Sequence, residues 1–168
     1  MTNHDQQRCP GCGGFFEVIE GPTHRYMISS PACWDRYSQI LAREYSEPAL
    51  IPTHRLSVDT YAVQHPGDGS RQAIQSVGLH LARLMLQLDR PLPPAETNDV
   101  MLGLGKHKAS LPALPPPNSY AMTVLDIPLG CTAEDHVSAV RAWALTTWTA
   151  WSAHHLVIKH WVASVLPR

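Results

Sequence analysis

Two cysteines in a Cys9-Pro-Gly-Cys12-Gly-Gly run constrain this chain more than anything else in it. A tetrahedral zinc site needs soft thiolates converging at about 2.3 Å from the metal. A tight turn of this kind puts two sulfurs on one knuckle, and glycine lets the backbone fold back toward them. Cys33 follows near the first turn of a helix predicted to start at Ser30-Pro31, where the positive end of the helix dipole favours a thiolate. The C-x2-C-x20-C pattern is one ligand short of a closed structural site. His24, His65 and Cys131 are the candidates for the missing ligand. His24 is the expected one, because it falls between Cys12 and Cys33, and the expected metal set is therefore Cys9, Cys12, His24 and Cys33 around zinc. Water in the fourth place would instead make the site catalytic in type.

A redox CxxC normally follows a buried strand and opens a helix. Here the pair follows a polar segment and precedes Gly-Gly-Phe-Phe, which favours a metal. The polar start of the chain has no apolar stretch of the kind a secretion signal carries, so a cytoplasmic location is expected. That compartment keeps thiols reduced, so the four cysteines read as ligands or free thiols.

The chain has 168 residues, with 44% apolar and 16% charged residues and a formal net charge of −1. This is enough for a packed core and too apolar for disorder of the whole chain. No run of basic residues offers a footprint for nucleic acid or an anionic membrane. No stretch of eighteen apolar residues spans a bilayer.

The expected architecture is a mainly α, single-domain helical bundle over residues 1–168 with a small zinc-bound β-ribbon at the N-terminus. The zinc-ribbon-like lobe is expected over 9–33 and the helical body over 34–168. Residues 1–8 read as a frayed tail. Residues 9–30 alternate apolar positions (Phe15, Val18, Tyr26, Ile28) and predict a ribbon turning at Gly21-Pro22. Ser30 caps and Pro31 opens a helix to about Tyr45. Pro48 and Pro52 predict an extended segment, and a second helix is expected from Ser57 until just before Pro66. Ser70 caps a third helix through about Leu88, with Ile74, Val77, Leu81, Leu84, Met85 and Leu88 on one stripe. A weak helical patch is expected near Asp99–Leu104. Residues 111–118 hold four prolines and predict a stiff surface connector. Residues 120–127 read as a strand. Thr132 caps the longest helical pattern, which runs toward Leu166.

Ten histidines invite individual reading. If the second and third helices form a hairpin, His80 falls beside His54, with Asp59 about a turn away and His65 at the opposite end. His54, Asp59 and His80 could then share a metal. The plainer alternative makes His80 a core-edge histidine bonded to Asp59. Along the last helical pattern, Trp148, Trp151 and His155 share one side. An aromatic face is more often packing than a cofactor box, but a histidine among tryptophans can stay neutral and act as ligand or base.

The segments CPGCGG, THRYMISSPACW, HRLSVDTYAVQHPG, SVGLHL and WTAWSAHH resemble an uncharacterised bacterial family of small proteins. The resemblance covers most of the chain outside the proline-rich stretch. It implies that His24, Cys33, Asp59, Gln64, His65, His80 and His155 lie in signature segments, and it implies no activity.

Three functions compete. The first is a small zinc-dependent hydrolase or lyase acting on a small-molecule substrate, with Asp59, His65, His80 and His155 as the catalytic candidates in a polar pocket. The second is a non-catalytic zinc-stabilised interaction module whose tryptophan-rich helix meets a protein partner or packs a homodimer. The third is a thiol redox or metal-sensing protein using Cys9 and Cys12.

Overall fold

The computed structural model describes residues 5–166. It begins with a small antiparallel hairpin, β1 (Gln6–Arg8) and β2 (Phe15–Glu17), paired with Gln7 opposite Phe16. The helices are α1 (Pro31–Ser46), α2 (Ile51–Gln64), α3 (Arg71–Leu88), α4 (Pro94–His107), α5 (Ala133–Ala150) and α6 (His155–Val165). The chain is thus mainly α with a small two-stranded sheet near its N-terminus.

The hairpin lies earlier than the alternation predicted. Its turn is the cysteine knuckle itself, closed by Cys9 N–H donating to Gly14 O and Gly13 N–H donating to Cys9 O. Gly13 takes φ +79°, a conformation that disfavours any side chain. The strand expected to follow Gly21-Pro22 does not form. Of the expected tail, residues 6–8 are the first strand, and residues 1–4 lie outside the described residues.

α1 starts as its sequence dictates: the Ser30 side chain accepts from Cys33 N–H, and Pro31 occupies the first turn. Ser70 caps α3 in the same way through Ala73 N–H. α2 starts six residues before the expected Ser57, because Pro52 sits in its first turn, where no N–H is needed. Pro94 likewise opens α4, which is longer than the expected patch. Residues 120–127 are not a strand. Thr123 and Asp126 form a reciprocal cap around a short 3-10 turn at Val124–Asp126. The last helical pattern is broken at Trp151. α6 follows a 3-10 turn at Ser152–His154 and packs on α3 and α4.

α2 is the central element, packed against α1, α3 and α5. Two apolar regions flank it. One joins Leu81, Leu84, Trp148, Trp151, Ile158 and Val162. The other joins the knuckle cysteines, Phe16, Tyr37, Ile40, Tyr61 and Trp143. Each fully buried side chain of this size contributes about 1.5–3 kcal/mol. Trp143 and Trp151 are wholly buried, so these tryptophans fill the chain's own core. The proline-rich connector lies irregular over α3, and Arg71 Nη2 donates to the carbonyls of Lys108, Ala109 and Leu111 to fix its start. No helix among the described residues is long and apolar enough to cross a membrane.

Candidate metal centre and a buried acid–base pair

Four side chains from three parts of the chain meet at one point. Cys9 and Cys12 come from the knuckle, Cys33 from the first turn of α1, and His65 from the C-terminal cap of α2. One ligand atom from each lies within 4.8 Å of every other, and all four residues are buried. His65 Nε2 stands 3.5 Å from Cys9 Sγ and 3.3 Å from Cys33 Sγ. Cys12 and Cys33 Sγ are 3.8 Å apart. A tetrahedral ion bonded to sulfur at about 2.3 Å sets sulfurs about 3.8 Å apart and places a nitrogen ligand slightly closer. A disulfide instead needs sulfurs about 2.05 Å apart. The donor set therefore fits a tetrahedral metal ion and does not fit a disulfide.

The imidazole is pre-set. Its Nδ1–H donates to the Tyr61 carbonyl at 2.7 Å, which leaves Nε2 as the unprotonated nitrogen facing the sulfurs. Tyr61 also stacks on the ring, with centroids 3.9 Å apart, and Tyr37 stacks on Tyr61 in turn. The Tyr61 hydroxyl reaches Cys33 Sγ at 3.7 Å. The three sulfurs act strongly on one another's charge. Hydrogen bonds from Cys12 and Cys33 hold Cys9 far below the ordinary thiol range. Cys12 is pushed up to about 12: its bond with Cys33 pulls down, but the bond and charge of Cys9 and burial push harder. Cys33 lies well above the ordinary range, through its contacts with Cys12 and Cys9 and through burial. Without a cation only one of the three is held as thiolate, and a bound cation would let the others ionise as well.

His24 does not join this group, which corrects the expected ligand set. Its ring packs on Tyr26 and Trp34. Burial and the neighbouring His80 hold its pKa below the usual value. Cys131 is remote, held by Arg43 Nη1 at 3.3 Å.

Asp59 and His80 are brought together, as the plainer reading of His80 expected. Asp59 is fully buried, and His80 Nδ1 donates to its Oδ1 at 2.6 Å. Arg83 Nε and Nη2 bind the same carboxylate at 2.8 and 2.6 Å, and Gln87 Nε2 adds a bond of 2.6 Å to Oδ2. His80 Nε2 has no hydrogen-bond partner and is not buried. The ring lines a cavity of 290 Å³ with Tyr26, Ser76, Arg83 and Lys108. The expected pocket of four catalytic candidates is therefore split. His65 is with the cysteines. His155 stacks on Trp148 at 3.8 Å and donates from Nε2 to the Trp148 carbonyl, capping the end of α5. His54 is not with Asp59 and His80 either.

His54 belongs to a third polar group that sequence reasoning missed. Glu44 is fully buried on α1, and its carboxylate meets His54 Nδ1 at 3.1 Å, His136 Nε2 at 3.0 Å and the Ser57 hydroxyl. The signal was present: Tyr37, Ile40 and Glu44 share the buried stripe of α1, which puts an acid where only apolar residues belong. Gln64, by contrast, is a staple, donating to Met122 O and Thr147 Oγ1, both at 2.8 Å.

These features define a mainly helical protein with a Cys3His cluster able to hold a metal where its N-terminal knuckle meets α1 and α2. The chain belongs to a family of unknown function, DUF5946, whose sequence profile matches residues 7–152. No curated protein and no solved structure matches it.

Proposed function

We propose that this protein is a small-molecule hydrolase in which a structural zinc ion holds the fold and His80 serves as general base. The donor set supports the zinc role. Three thiolates and one imidazole complete a tetrahedron, and a closed site of four buried protein ligands leaves no position for substrate. When bound, the ion supplies charge neutralisation and a clamp between the knuckle, α1 and α2. Asp59, by its short bond to His80 Nδ1, carries the catalytic reading. A buried carboxylate on Nδ1 fixes the tautomer and leaves Nε2 as the basic nitrogen on the cavity. In that role Nε2 takes a proton from water, the water oxygen bonds to the electrophilic carbon of the substrate, and the leaving group departs with its bonding pair and receives the proton. Lys108, which has no ion pair among the described residues, favours an anionic substrate.

The test is a screen of activated carboxylic esters at neutral pH with His80→Gln and Asp59→Asn beside the unaltered protein. Turnover that falls at least a hundredfold in His80→Gln, with zinc content unchanged, is the expected result. Full turnover in that variant, or turnover that tracks zinc content alone, overturns it. A second reading rests on the bidentate Arg83 contact, which would serve a purely structural pin equally well. Under it the protein is a zinc-stabilised binding module, and no ester is turned over.

A further inference from the structure

A second cavity of 590 Å³, which includes none of the cysteines and not His80 in its lining, lies between α2, α3, α4 and the start of α5. Its walls are mostly apolar, with Leu56, Leu86, Leu92 and Val137 among them. Two arginines, Arg55 on α2 and Arg141 on α5, reach it from different helices. No aspartate or glutamate lines it. Among the described residues neither arginine makes an ion pair or a side-chain hydrogen bond, whereas Arg36, Arg43, Arg71 and Arg83 are all engaged. An apolar cavity of several hundred Å³ with a few convergent polar groups is the usual form of a small-molecule site. A guanidinium offers a planar fork that matches a carboxylate, and two of them without a counter-charge leave a positive lobe beside an apolar wall.

We infer that this cavity binds a small amphipathic carboxylate, its acid group between Arg55 and Arg141 and its hydrocarbon body against Leu56, Leu92 and Val137. The site does not rest on the hydrolase reading: it shares no lining residue with the His80 cavity, although its Gln87 also donates to Asp59. Val137, 38% accessible, stands on the open side of the cavity wall.

Titration calorimetry with octanoate, 1-octanol and acetate tests it on the zinc-loaded protein. Octanoate should bind saturably with one site per chain, and the other two at least tenfold more weakly. Arg55→Gln and Arg141→Gln should each weaken octanoate about tenfold, in line with the loss of one charge-assisted hydrogen-bonded contact. Val137→Trp, at a surface position that tolerates size, should block binding by filling the cavity. His80→Gln should leave octanoate affinity unchanged. Equal affinity for octanol and octanoate, no saturable octanoate binding, or normal binding in both folded arginine variants overturns the proposal.

Discussion

Gly11 lies directly against His65, so closely that a β-carbon on it would strike the imidazole and come within 2.6 Å of the Ile28 carbonyl and 2.9 Å of the Gln64 carbonyl. The glycine inside the knuckle is therefore dictated by the fourth member of the cluster, which lies in a different part of the chain. Gly11→Ala should force the knuckle away from α2. Overpacking of this kind costs about 1–3 kcal/mol, and here it also spoils ligand geometry. Bound metal, counted by mass spectrometry of the native protein, should drop below one ion per chain, with a lower melting temperature.

His65→Ala and His24→Ala separate the fourth ligand from its nearest rival in sequence. His65→Ala should lose most of its metal, because one coordinating nitrogen goes and a buried gap opens beside three sulfurs. His24→Ala should keep a full complement, since its ring packs on Tyr26 and Trp34 and is not a member of the cluster. Cys12→Ser should behave as His65→Ala does and loosen the knuckle, since binding energy at such a site is also folding energy.

Acid should release the ion steeply. Protons compete with the metal for every thiolate and for the imidazole, so occupancy should fall with more than one proton taken up per ion released. A pH titration of bound metal measures that slope directly. A strong chelator at neutral pH should reach the same state. The helical signal should survive for the most part, because the core formed by α3, α4, α5 and α6 has no member in the cluster.

Glu44→Gln tests the third polar group. The carboxylate faces His136, which is fully buried, and its loss leaves that imidazole without its acidic partner. Spoiling a buried hydrogen-bonded contact of this kind costs about 1–3 kcal/mol. Urea unfolding of Glu44→Gln should show a loss of that order, with metal content unchanged.

The parts of this fold that sequence reasoning reached are those fixed by local chemistry. Ser30-Pro31 and Ser70 set the starts of α1 and α3 because a hydroxyl cap and a proline first turn act within a few residues. The three cysteines were legible because soft ligands in a tight turn have few other uses. What was missed depended on tertiary placement. Proximity along the chain favours His24 over His65, but α2 delivers its C-terminal cap to the knuckle and the Tyr61 carbonyl turns the His65 ring toward the sulfurs. The alternation around Gly21-Pro22 resembles a strand. The backbone bonds that close Cys9 to Gly14 pair the earlier residues instead. Nothing local marks Glu44 as paired, since its partner His136 lies 92 residues away. The break at Trp151 follows a turn that lets α6 reach α3 and α4, which no local residue announces.

Cys9 and His65 are separated by 56 positions along the chain and meet at one point. A nascent chain that has exposed only its first helix offers an ion three sulfurs and an open face. Full enclosure waits until α2 has emerged and been capped. For any ion held there, the order of synthesis sets an interval of open access, followed by one in which the knuckle must part from the cap of α2 before the ion can leave.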